Sequence, residues 1–205
     1  MEWEWIDESP MKKVKKYKEP RGRIRYLDEE EKRRLLDACK ESSNPQLYTI
    51  VVVALSTGMR LGEILKLTWT DVDLEAGKAV LHETKNGERR VVAIVSLALE
   101  LLRKHKERQQ TNTLFIFPND RGSAPVNIRS DWEKALKVAE VEDFRFHDLR
   151  HTFASYLAMN GASLAELADA LGHKTLAMVK RYAHLSEAHT ASVVQRMNDR
   201  MLANE

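Results

Sequence analysis

The sequence predicts a mainly helical α+β domain, and three observations carry that prediction. Apolar residues recur at helical spacing over most of the 205 residues. Between Trp69 and Val95 the period changes to that of strands, in the runs WTDVDL, AVLHE and RRVVAIV. The connections between them are EAGK and KNGE, and the second holds Asn-Gly, the pair that favours a tight hairpin because both residues tolerate positive φ. The expected sheet is small, three-stranded and antiparallel.

The helices follow from caps and breakers. Asp28 with Glu31 forms a capping-box pattern for a helix over Glu29–Glu41 that turns Leu35, Leu36 and Cys39 inward. Pro45 opens the run LYTIVVVALSTG, apolar nearly all round and so a helix buried in the core, which stops at Gly58. Arg60 follows at the start of the short helix LGEILKL. After the strands, Ser96 is expected to cap a helix to about Arg108, LFIF to form a short buried segment ended by Pro118, and Asn127 to begin a helix to about Ala139. His147–Asn160 reads as a helix stopped by Gly161, and Ser163 with Glu166 as the capping box of another that ends at Gly172. Thr175 is expected to cap LAMVKRYAH, and Ser186 a terminal helix (186–202) whose Ala188, Ala191, Val194, Met197 and Met201 form one apolar stripe.

Residues 1–26 read as a connector, broken by Pro10, Pro20 and Gly22, and the domain as 27–205. Eight cations (Lys12, Lys13, Lys15, Lys16, Lys18, Arg21, Arg23 and Arg25) stand there against one nearby acid, Glu19. Of 33 Lys and Arg, 25 remain after residue 25, facing 26 acids, so the body is close to neutral and the connector carries the excess. That distribution suits contact with a phosphate backbone.

Composition also excludes. With 43% hydrophobic and 31% charged residues the chain reads as soluble, and no apolar run approaches a membrane span. The acidic start MEWEWIDESP is neither a secretory signal nor a transit peptide. The single cysteine, Cys39, permits no internal disulfide and no Cys-rich zinc site. A cytoplasmic or nuclear location is the expectation.

The residues that carry chemistry sit at element ends. His147 and Arg150, three apart, share a helical face. Arg60 follows a buried helix, Lys85 lies at the hairpin, His173 follows Leu171-Gly172, and Tyr182 comes nine residues after His173, beside Arg181. Together they suit attack on a phosphodiester without a metal. Two guanidinium groups can neutralise charge on the nonbridging oxygens at any pH. A phenol is a nucleophile whose phosphate ester stays reversible. Its attack needs a proton acceptor, and the departing sugar oxygen needs a donor.

Ser56-Thr57-Gly58-Met59-Arg60-Leu61-Gly62-Glu63, Thr84-Lys85-Asn86-Gly87, His147-Asp148-Leu149-Arg150-His151-Thr152, Leu171-Gly172-His173 and Tyr182 resemble, in order and spacing, the motifs of the tyrosine recombinase (phage integrase) family. The resemblance covers residues from about 27 to 190. It implies a catalytic domain of that fold, double-stranded DNA as substrate, no cofactor and no metal. Arg60 and Arg150 would clamp the scissile phosphate, and Tyr182 would form a 3′-phosphotyrosyl link. Lys85 would protonate the 5′-hydroxyl, with Lys78 its rival. His147 would accept the tyrosine proton or make a second phosphate contact, His173 would donate to a nonbridging oxygen, and Glu63 would orient the site by bonding a histidine or an arginine. His151 reads instead as a packing or capping residue, Tyr156 as core, and Arg181 as a solvated neighbour of Tyr182.

The same resemblance implies a site-specific recombinase or integrase, tetrameric on DNA and possible as a monomer off it. Its terminal helix would reach a neighbour or fold back. Residues 1–26 would be the end of a linker or of a missing N-terminal DNA-binding domain. A type IB topoisomerase-like nicking and resealing enzyme is the near alternative, separable by assaying supercoiled plasmid against paired target sites. A DNA-binding regulator of the same fold is the other, and it would have no use for Tyr182 or Lys85.

Overall fold

In a computed structural model, residues 14, 15, 17, 25–82, 89–109 and 113–202 are described. The element at their centre is α2 (Leu47–Thr57), preceded by α1 (Glu29–Lys40) and followed by α3 (Leu61–Lys66). Ile50, Val51, Val52, Val53 and Ala54 on α2 are all buried, as a segment apolar on every face must be. Helices α1, α3, α4 (Ser96–Arg108) and α6 (Asp148–Met159) pack around it, and α5 (Arg129–Val138) lies on α1.

Local rules account for the helix ends. The Asp28 side chain accepts from Glu31 N at 2.7 Å and completes the capping box of α1. Arg25 bonds Glu31 and lies 5.4 Å from the Phe144 ring centroid, so this last cation of the basic stretch is tied to the domain. The other connector cations, apart from Lys15, fall outside the described residues. Before α5, Asn127 Oδ1 accepts from Arg129 N, and the helix starts two residues later than expected. Ser96 does not cap α4. Val95 holds that position, and Ser96 is the first helical residue, at φ 50°.

Strands β1 (Val72–Asp73), β2 (Lys78–Leu81) and β3 (Arg90–Ala93) form the expected antiparallel sheet in the order β1-β2-β3. Ala79 pairs with Val92 and Leu81 with Arg90. Side chains alternate between the faces of a strand, so Arg90 is in phase with buried Val92 and points to the inner side. The connection through Lys85 and Asn86-Gly87 lies outside the described residues.

The C-terminal part has its own smaller core of Ala154, Ala158, Leu167, Ala168, Leu171, Val179 and Tyr182. It joins α6 to α7 (Leu164–Leu171), whose Ser163–Glu166 capping box is present. The helix expected over LAMVKRYAH is instead two 3₁₀ segments, Leu176–Met178 and Lys180–Ser186. Thr175 makes no side-chain cap, and Ser186 Oγ, just before α8 (Glu187–Leu202), donates to Ala183 O. On α8 the stripe residues Val194, Met197 and Met201 are exposed. Tyr156, expected in the core, is only partly buried and sits 4.6 Å, ring centroid to ammonium, from Lys32. Among the described residues no helix is long and apolar enough to cross a membrane.

Candidate active site

Two glycines shape the site because both adopt φ 63°, a conformation that other residues reach only with strain. Gly58 closes α2, and a Cβ there would fall 2.5 Å from Phe153 Cδ1, so α2 and α6 approach as closely as a bare backbone allows. Gly172 closes α7 and turns the chain into His173. Phe146, just before α6, packs edge-on to Trp132 of α5 at 5.0 Å between centroids, and Arg145 N donates to Asp148 Oδ2. These contacts fix where α6 begins, and with it His147, Arg150 and His151.

Arg150 is buried at 4% exposure. Its Nη1 donates to Gly58 O at 2.6 Å, while Nη2 donates to Leu171 O and, at 3.0 Å, meets His173 Nε2. A guanidinium can only donate, so His173 Nε2 is the acceptor and the ring proton resides on Nδ1. That Nδ1 is buried with no partner among the described residues, a donor held ready. Burial, then the charges of Arg150, Arg60 and Arg90, push His173 down to about 4, which keeps the ring neutral. Burial also pushes Arg150 down to about 10, with Arg60 and Arg90 adding to it, and the group remains a cation at neutral pH.

Glu63 links two further cations. It stands three residues into α3 and reaches back to accept from Arg60 N at 2.9 Å and Arg60 Nη1 at 2.7 Å. Its other interaction is with Arg90 Nη2 at 3.3 Å. The sequence reading gave Glu63 a hydrogen bond to a histidine or an arginine, and the structure gives it two arginines. Burial pushes the Glu63 carboxyl up, but the bonds from Arg60 outweigh this and hold it below its ordinary value. Two guanidinium groups thus share one carboxylate, and the charge of a third, Arg150, is felt by the same cluster, a surplus of positive charge suited to an anion. Arg90 was missed in the sequence. Its phase with Val92, on the inner face of a strand, was the signal available.

Tyr182 is buried at 2% exposure in the smaller core. Its hydroxyl lies 2.5 Å from His151 Nδ1. This overturns the reading of His151 as a packing or capping residue. His147 and His151 are four apart and share a helical face, the same spacing rule that linked His147 to Arg150. Their rings meet edge to face at 5.5 Å, with His147 exposed and His151 half-buried beneath it. Burial pushes the Tyr182 phenol up, partly offset by Arg181 and Arg150. Arg181 is exposed, as expected.

The structure therefore brings Arg60, Glu63, Arg150 and His173 into one cluster, with His147 edge-on to His151 and His151 hydrogen-bonded to Tyr182. Lys85 lies outside the described residues, and its rival Lys78 is exposed, 4.0 Å from Asp73. Among the described residues no group of three His, Cys, Asp or Glu could hold a metal ion. An anion cradle beside a buried phenol is equipment for phosphoryl transfer.

Known proteins resemble this chain in sequence and fold. The model of the phage integrase family matches residues 25–189. The integrase of Salmonella phage P22 is 36% identical over 201 residues, covering 92% of this chain and 50% of the relative. A shufflon-specific DNA recombinase of Escherichia coli is 36% identical, covering 90% of this chain and 46% of the relative. Among solved structures, the catalytic domain of bacteriophage HP1 integrase matches with a TM-score of 0.67 at 33% identity, covering 84% of this chain and 95% of that one. The chain belongs to the phage integrase family, the tyrosine recombinases. It spans about half the length of the curated relatives it matches.

Proposed function

We propose that this chain cleaves and rejoins strands of double-stranded DNA in site-specific recombination, through a covalent 3′-phosphotyrosyl link to Tyr182. The observation that carries this reading is that successive residues of α6 serve both halves of the reaction. Arg150 belongs to the anion cradle with His173, and His151 holds the hydroxyl of Tyr182. The DNA recombinase among the relatives supports DNA as the partner.

Arg60 and Arg150 bind the nonbridging oxygens of the scissile phosphate, and His173 donates to one of them. Glu63 keeps Arg60 and Arg90 aimed at the cradle. Lys85 donates the proton that the 5′-oxygen needs to leave. His147, exposed at the rim, supplies a further phosphate contact. The cations neutralise the developing charge, so no step calls for a metal or cofactor. The exposed stripe on α8 supports assembly on DNA through a neighbouring copy.

Tyr182→Phe tests the reading. The variant should bind duplex as the parent does and form no covalent adduct on a nicked suicide substrate. Adduct formation by the variant would sink the assignment of the nucleophile.

A further inference from the structure

We infer that His151 is the catalytic residue that takes the proton from Tyr182, one of the two roles that the motif pattern leaves open to His147. The inference deepens the phosphotyrosyl reading above and rests on it.

The geometry is direct. His151 Nδ1 lies 2.5 Å from the Tyr182 hydroxyl, within the range of a proton-transfer contact, whereas the ring of His147 meets His151 and stands at the exposed rim. Both partners are anchored. His151 follows buried Arg150 on α6, and Tyr182 is fixed in the smaller core by its 3₁₀ segment. A neutral imidazole has one bare nitrogen, and a phenol O–H can donate to it. The charged and titratable groups around the ring keep it neutral. Burial and His147 lower its proton affinity, as do Arg181 and Arg150, against Asp148, and together they bring it down to about 4.

A ring held that low would be a weak base, and the substrate corrects this. Burial and His147 do most of the lowering, and Arg150 contributes the least of the charges named. A phosphate seated beside Arg150 offsets that contribution and adds its own negative charge near the ring, so His151 gains basicity when DNA is bound. As the phenol oxygen attacks phosphorus, its proton passes to Nδ1 and the bond from phosphorus to the 5′-oxygen breaks. The leaving oxygen takes a proton from the acid assigned to Lys85. The histidine is left as imidazolium and the lysine neutral. Religation returns both protons.

The test measures single-turnover adduct formation on a nicked duplex by the wild-type chain, His151→Gln and His151→Ala. Glutamine can still accept a hydrogen bond from Tyr182 but cannot take its proton. Both variants should fall about 10²-fold, with no rescue by glutamine. Their residual rate should climb about tenfold per pH unit from about pH 7 to about pH 9 as the free phenol ionises, while the wild type stays nearly flat. His151→Gln at the wild-type rate would show that His151 only positions the nucleophile. A faster variant would show a latch. Either overturns the inference. Nitrogen NMR of the wild-type chain at neutral pH separates this from the parent reading. The inference requires an unprotonated Nδ1 on His151, and a protonated one overturns it whatever the DNA assay shows. If the wild type forms no adduct while Nδ1 is bare, the hydrogen bond stands and both the phosphotyrosyl reading and the proton transfer fall.

Discussion

Arg90 lies across the backbone of Gly172. A Cβ at Gly172 would stand 2.6 Å from both Arg90 Cδ and Nη1, so strand β3 and the turn that delivers His173 touch where only a glycine fits. Gly172 also has φ 63°. Gly172→Ala should therefore cost about 1–2 kcal/mol in backbone strain alone. A thermal melt should show Tm about 2–8 °C lower. Adding Arg90→Ala removes the clash but not the strain, so the double variant should recover part of the loss. Full additivity of the two losses would deny the contact.

Arg150→Lys should fail almost as badly as Arg150→Ala in adduct formation. One guanidinium serves Gly58 O, Leu171 O and His173 Nε2 at once, and a single ammonium cannot span that fork. The expected loss in cleavage is about 10²–10³-fold, with a much smaller change in duplex affinity. Equal losses in both would make Arg150 a binding residue only.

Glu63→Gln removes the charge shared by Arg60 and Arg90. Because the folded carboxyl sits below its ordinary value of 4.5, it contributes stability above that value and loses it as pH falls through the lower, folded one. Urea midpoints measured downward from about pH 5 should drop for the wild type. Those of Glu63→Gln should start lower and change less across that window. Parallel curves would show that the ion pairs contribute nothing to folding.

Adduct formation should persist in excess EDTA, because arginines carry the charge that a divalent ion would otherwise neutralise. A strict requirement for Mg²⁺ would remove that part of the mechanism.

Period and caps located α1, α2, α7 and the three strands in the sequence, since each depends on local preferences that the chain states openly. Ser96 and Thr175 misled for one reason. A hydroxyl at a helix start caps only if the backbone turns its oxygen toward the free amides, and here tertiary packing set that turn. The segment around Tyr182 showed helical spacing yet is 3₁₀, because it must fold back onto α6 within ten residues of Gly172. Arg60, Arg150 and His173 were legible as cations and donors at element ends. What joins them was not. The bonds to Gly58 O and Leu171 O are backbone contacts that no side-chain pattern announces, and Arg90 enters the site only through strand register. His151 was not legible from the Arg150 face, as adjacent helical residues point about 100° apart.

The two carbonyls that hold Arg150 share a property beyond their distance. Gly58 caps α2 at its C-terminus, and Leu171 is the last residue of α7. Aligned peptide dipoles leave about half a negative charge at the C-terminal end of a helix. Two such ends together approach one unit, enough to stabilise one buried guanidinium without a carboxylate against it. An arriving phosphate then has no counter-ion to expel. This counter-charge is written in peptide orientation, so neither a proton nor a salt ion can take it away, and Arg150 keeps its two carbonyl bonds under acid conditions that would protonate His173 and release Arg60 from Glu63.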